Sequence, residues 1–250
     1  MNAGQDARTL TARVLKHNLR SPDTIVTTLV TPVMILLAFV FVLGGAMDTG
    51  EVRYVDFVMP VVLLFAMVSG VSYTAWRVNQ DVASGIQARF RTMPIARWAI
   101  TGGHILASIL TNAVSVAALF GIALVAGYRP QAGPAGWAAT IALVLAALVA
   151  FATMGTAFGF LAKTNEGAGM FAYVAMALLF VSSGFAPTST MPAGLRAFAD
   201  HQPMTPIIDA IRDAQLGAGS ATTTLIALAW LTAITILFAA LATLGGKRRA

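Results

Sequence analysis

Six apolar runs, each about the 20 residues that a helix needs to cross roughly 30 Å of hydrocarbon, divide this chain from end to end. They lie at about 25–46, 55–75, 99–126, 137–161, 168–186 and 221–245. Hydrocarbon offers a backbone no hydrogen-bond partner outside the segment, so such runs must be helices, and the two-residue alternation of a barrel strand is absent. Composition agrees: 10% of the 250 residues are charged and 58% are hydrophobic, where a soluble domain carries about a quarter charged residues. The expected fold is an all-α integral membrane protein with six transmembrane helices, forming one domain over residues 1–250.

The first run has small residues, Gly44 and Ala46, where a signal peptidase would cut. Its apolar core is too long for a signal peptide and polar residues precede it, so it is expected to stay. The chain has no cysteine, which excludes disulfides, thiol nucleophiles and thiolate metal sites.

Six spans place both termini and the second and fourth connections on one side. Of the 16 Lys and Arg residues, all but Arg53, Arg129, Arg196 and Arg212 fall on that side. Lysine and arginine stay inside, so both termini are expected in the cytoplasm of a multi-pass plasma-membrane protein. The run Lys247-Arg248-Arg249 reads as a headgroup anchor, and no nucleic-acid partner is expected.

Between the spans three segments carry pattern. Over residues 5–20, Ala7, Leu10, Val14, Leu15 and Leu19 separate from Arg8, Arg13, Lys16 and Arg20 at helical spacing, which predicts an amphipathic helix on the membrane surface or at a subunit interface. Residues 77–98 form a cytoplasmic segment in which Val82, Ile86, Phe90 and Met93 make one apolar stripe on a short helix that ends before Pro94. So short a helix needs lipid or another protein to cover it. Residues 187–220 form the largest external segment, where Pro187, Pro192, Pro203 and Pro206 punctuate two short expected helices before the last span.

Chemistry is sparse. No phosphate loop occurs, so ATP binding is not expected in this chain. His17, His104 and His201 are scattered and no metal-ligand spacing appears. No Gly-x-Ser-x-Gly elbow supports a hydrolase. The spans hold almost no charge, which argues against an ion-coupled carrier. Asn112 in the third span, and Gly155 and Gly159 in the fourth, read as helix–helix packing positions.

The segment Asp81-Val82-x-Ser84-Gly85-Ile86-x-x-Arg89-Phe90-Arg91-x-Met93-Pro94-Ile95-x-Arg97 resembles the cytoplasmic segment of permease subunits in type-2 ABC exporters, particularly the daunorubicin-resistance group. A second block is similar to that family's external segment: Ser183 to Pro192, with Pro187, Met191 and Pro192, then Gln202-Pro203-Met204-Thr205-Pro206 and Ala210-Ile211-Arg212. Ala88 and Gly103-His104 depart from the residues this family usually carries there.

The resemblance implies a permease that exports a hydrophobic or amphipathic compound, such as a drug, antibiotic or lipid-linked molecule. It implies a pair of permeases, identical or different, bound to two copies of a separate ATPase that would hold ATP and magnesium. Asp81, Val82, Gly85, Ile86, Arg89, Phe90 and Arg91 would form the coupling helix that docks on that ATPase. Membrane lipid is the remaining expected partner. An ion-coupled carrier or a non-transporting scaffold stays open as the alternative.

Overall fold

The computed structural model describes residues 3–45, 52–85 and 97–248. Helix α1 spans Ala3–Arg20. Helix α2, Pro22–Val42, follows after one residue, Ser21. Two π-helical stretches interrupt its α-helical winding, Val26–Val30 within it and Ala38–Leu43, which runs one residue past its end. Then come α3 (Tyr54–Ala83), α4 (Arg97–Val125), α5 (Pro134–Leu161) and α6 (Asn165–Phe180). Two short helices, α7 (Ala193–His201) and α8 (Met204–Gln215), precede the last, α9 (Ala221–Arg248). No strand occurs among the described residues.

Five of these helices, α2, α3, α4, α5 and α9, are long and apolar enough to cross a membrane. The fifth expected span, 168–186, differs: α6 has 16 residues and stops at Phe180. The cause is local hydrogen bonding. Ser182 Oγ donates to the Leu179 carbonyl at 2.5 Å and accepts the Gly184 N–H at 3.1 Å, which offers the backbone an alternative to the helical ladder.

The second span differs in the other direction. It was expected to end near residue 75, yet α3 runs 30 residues and ends at Ala83. No Gly or Pro interrupts the chain between Ala75 and Ala83. The first breaker is Gly85, whose φ of 70° lies in the left-handed region that glycine enters without penalty. Val82 therefore belongs to the last turn of α3, and the short helix read from Val82 onwards does not begin there. Ile86, Arg89, Phe90 and Arg91 lie outside the described residues.

Helix α3 is the axis of the bundle. Of its most apolar window 89% is buried, against 17% for α2 and for α9. Val58, Val62, Leu64 and Val68 are inaccessible, and α5 and α6 pack along it. Close approach to α5 depends on two glycines. A Cβ at Gly155 would lie 3.0 Å from Thr74 Cβ, and one at Gly159 would lie 2.5 Å from Val78 Cβ and 2.6 Å from the Ala75 carbonyl oxygen. The small-residue pair thus faces α3 of its own chain. Asn112 of α4 occupies the space that a side chain at Gly70 would need.

With Asp56 near its start and Asp81 near its end, α3 separates two polar ends by about 37 Å at 1.5 Å per residue. At the Asp81 end lie α1, the start of α4, the end of α5 and the end of α9, where a Cβ at Gly245 would meet Phe160 Cβ at 3.0 Å. The first and last described helices therefore share this end. At the Asp56 end lie the loop after α4, the start of α5, and α7 with α8.

Candidate functional site

At the Asp81 end, three elements converge on one carboxylate. Asp81, 4% exposed, places Oδ2 3.3 Å from an Arg13 guanidinium nitrogen of α1 and 3.6 Å from His104 Nε2 of α4. Its Oδ1 lies 3.9 Å from Arg77, one turn earlier on α3. Arg77 is itself buried, and its guanidinium sits 5.9 Å from the Trp76 ring centre. A charge so far from water persists only when paired and hydrogen-bonded, which this cluster supplies.

This corrects one expectation. Asp81 was read as displayed for a partner, whereas it faces inward and binds α1 and α4. Arg77, the first residue of the expected cytoplasmic segment, lies within α3 against Asp81. Val82 and Gly85, half-buried, follow immediately.

Helix α1 reaches the cluster because its apolar stripe packs on protein. Leu10 and Val14 are buried while Arg8 and Lys16 are exposed, and a Cβ at Gly103 of α4 would lie 3.1 Å from Leu10 Cβ. Asn18, also buried, donates to Thr111 Oγ1 of α4 at 3.1 Å. Helices α3 and α4 have their own link, Thr74 Oγ1 to Ser108 Oγ at 2.8 Å.

Asn79 joins the same helix end to α5. Its Nδ2 donates to the Gly159 carbonyl at 3.0 Å and the Ala162 carbonyl at 2.7 Å, which satisfies two acceptors where α5 runs out of intrahelical donors. Replacing Asn79 by Leu leaves both carbonyls buried without this donor. The expected cost is about 2–4 kcal/mol, measurable as a lower melting temperature in detergent, with Asn79→Gln recovering part of it.

Sequence reasoning missed Arg13, Asn79 and His104 as members of this site. The available signal was the spacing of Arg77, Asn79 and Asp81 with no breaker before them, which fits a polar continuation of the span as well as a solvated loop.

The opposite end gathers the second block. Pro187 accepts from the Thr190 N–H at 3.1 Å to form a single 3-10 turn, and Met191 and Pro192 lead into α7. Gln202 sits between α7 and α8, where its Oε1 accepts the Met204 N–H at 2.9 Å and its Nε2 donates to Thr205 Oγ1 at 3.1 Å. Thr205 Oγ1 accepts the Ser183 N–H at 3.3 Å. Pro203 caps α8 and Pro206 stands in its first turn, where no intrahelical donor is lost.

Arg212 of α8 holds this end together. It is 8% exposed and donates to Asp209 at 2.8 Å, to the Ser183 carbonyl at 2.8 Å and to the Phe57 carbonyl at 3.1 Å, with its guanidinium 3.9 Å from the Phe57 ring centre. Burial pushes its pKa below the usual arginine value, while Asp209 and Asp213 pull it back. Burial, then Asp209, pushes the Asp213 carboxyl up. Nearby, Asp56 accepts from Arg53 Nε at 2.8 Å and from the Arg129 N–H at 3.0 Å, and burial followed by this carboxylate pushes the Tyr128 hydroxyl up.

No group of His, Asp and Glu able to hold a metal occurs among the described residues. The arrangement is suited to mechanical linkage: a rigid central helix, wired at one end to three neighbours and at the other to a compact helical cap.

Residues 5–216 match the family model described as ABC-2 type transporter. The daunorubicin resistance ABC transporter permease protein DrrB1 of Streptomyces coeruleorubidus is 28% identical over 197 residues, covering 78% of this chain and 70% of that protein. The probable doxorubicin resistance ABC transporter permease protein DrrC of Mycobacterium tuberculosis is 25% identical over 244 residues, covering 95% of this chain and 87% of that one.

Proposed function

Because this chain belongs to the ABC-2 type transporter family, we propose that it is the permease half of an ATP-driven exporter for hydrophobic or amphipathic compounds, with anthracycline-like drugs as the model cargo. The chain is a multi-pass membrane protein and a transport subunit, and it catalyses no reaction of its own. The observation that carries the reading is the family match over residues 5–216, joined by drug-resistance permeases as relatives along nearly the whole chain.

In this reading two permeases, identical or different, pair in the plasma membrane and two copies of a separate ATPase bind beneath them with ATP and magnesium. The Asp81 end faces the cytoplasm. The share of Lys and Arg on that side, and the first and last helices meeting there, support this orientation. Helix α6 makes the fifth of six crossings, its roughly 24 Å extended by the turns after Phe180. Closure of the ATPases moves the coupling segment from Val82 and Gly85 through Ile86, Arg89, Phe90 and Arg91, and the spans alternate access for cargo. Asp81 serves this segment from within, as its inward anchor.

Charges placed at the apolar docking positions test the assignment. With the full complex of permease and partner ATPase, Gly85→Asp and Phe90→Asp are each expected to lower ATPase recruitment about tenfold or more, with daunorubicin-stimulated turnover falling in step. Unchanged recruitment and unchanged turnover in both variants would overturn it.

A further inference from the structure

Asp81 is the point where the docking end of α3 is tied to the rest of the bundle, and the ties are unequal. The α3–α4 contact has an independent hydrogen bond between Thr74 and Ser108. Helix α1 meets α3 through the ion pair of Arg13 with Asp81. Arg77 and Arg13 both lie within 4 Å of this one carboxylate, so loss of its charge removes the counter-charge that two guanidiniums share, one of them buried. Asp81 also stands one turn before Gly85, where α3 ends.

We propose that Asp81 is a positioning residue that fastens α1 to the α3–α4 pair, so that movement delivered beyond Gly85 displaces three helices as one body. This rests on the exporter reading above. Without the fastening, the ATPase still docks on the segment that follows, but the end of α3 moves apart from α1, which stays on α4 through Leu10 and Asn18, and the displacement is absorbed before it reaches the spans.

The chain has no cysteine, which makes a covalent control available. A Cβ at Gly103 would lie 3.1 Å from Leu10 Cβ, close to the roughly 3.8 Å of a disulfide. A Leu10→Cys, Gly103→Cys pair therefore joins α1 to α4 covalently without using Asp81.

The experiment uses the full complex in lipid vesicles with daunorubicin as the probe. Asp81→Asn is expected to bind the ATPase like the unchanged chain but to lose about tenfold in drug-stimulated ATP turnover and drug uptake. Adding the oxidised cysteine pair to Asp81→Asn restores neither, because it holds α1 on α4 and does not reach α3.

Full coupling in Asp81→Asn overturns the proposal, as does a formed disulfide that restores both. If Asp81→Asn fails to assemble, Arg13→Gln decides: Arg13 is 40% exposed and leaves Asp81 paired with Arg77. Uncoupling that the disulfide does not repair supports the proposal, and normal coupling overturns it. An unchanged chain that neither recruits the ATPase nor stimulates it fails one step earlier, at the exporter reading, and takes this inference with it.

Discussion

Gly159→Val is expected to leave almost no folded protein in detergent extracts. A Cβ there would lie 2.5 Å from Val78 Cβ and 2.6 Å from the Ala75 carbonyl oxygen, both on α3. The second contact is backbone, so no rotamer change relieves it, and the two helices must move apart. Separation would stretch both Asn79 hydrogen bonds, which run between the same turns. Overpacking alone costs about 1–3 kcal/mol, and valine adds two methyls beyond the first clash. A total near 5 kcal/mol is comparable with the whole stability of an ordinary domain. Size-exclusion profiles and thermal shifts read the result. Gly155→Ala serves as the graded control, because its nearest contacts are at 3.0 Å, and a loss near 1–2 kcal/mol is expected. A monodisperse Gly159→Val protein with an unchanged melting temperature would refute the packing account.

Arg212→Met is expected to have the next largest effect, about 3–5 kcal/mol, although the substitute matches the apolar part of the side chain. It strips a donor from the carbonyls of Phe57 and Ser183, and none of the neighbouring side chains described can replace a planar fork. Asp209 loses a partner as well but is 39% exposed, so water compensates it. Most of the cost therefore lies in the orphaned backbone. Arg212→Lys should recover little, since one ammonium cannot reach three acceptors on three elements and does not stack on Phe57 as a guanidinium does. Urea or heat unfolding in detergent distinguishes the cases. A lysine variant as stable as the unchanged chain would mean that charge alone, rather than the geometry of the fork, holds this end.

Much of the fold was legible because lipid restricts it. Hydropathy located the long helices, since an apolar run in a membrane has one backbone solution. The prolines at 192, 203 and 206 marked where α7 and α8 begin, and the Gly155–Gly159 spacing marked a close contact without saying which helix it met. The stop of α6 at Phe180 was not legible, because Ser182 and Ser183 are polar without being helix breakers: Ser182 turns the chain through its nearest neighbours, while Ser183 is held by Thr205 and Asp209, more than 20 residues away.

The site was legible only in part, for a related reason. Arg77, Asn79 and Asp81 look like solvated residues when only their neighbours in sequence are seen. Their partners lie far along the chain: Arg13 is 68 residues from Asp81, and Ala162 is 83 from Asn79. A polar residue continuing an apolar helix is either solvated or paired at long range, and periodicity is identical in the two cases. Burial decides, and burial is a tertiary quantity.

The central position of α3 has a consequence for how the protein is made. Of the five long helices it has the least hydropathic window, yet it is the most buried, and Asp56, Arg77 and Asp81 lie along it. A helix leaving the translocon alone must satisfy lipid by itself; the apolar window of α3 does so, but its Asp81 end then lacks the partners it has in the folded chain. Its partners for Asp81 and Asn79 include His104 and the end of α5, both synthesised afterwards. The polar end of the second long helix is therefore complete only once the third and fourth are in place, so this end of the bundle forms as a group of helices rather than one helix at a time.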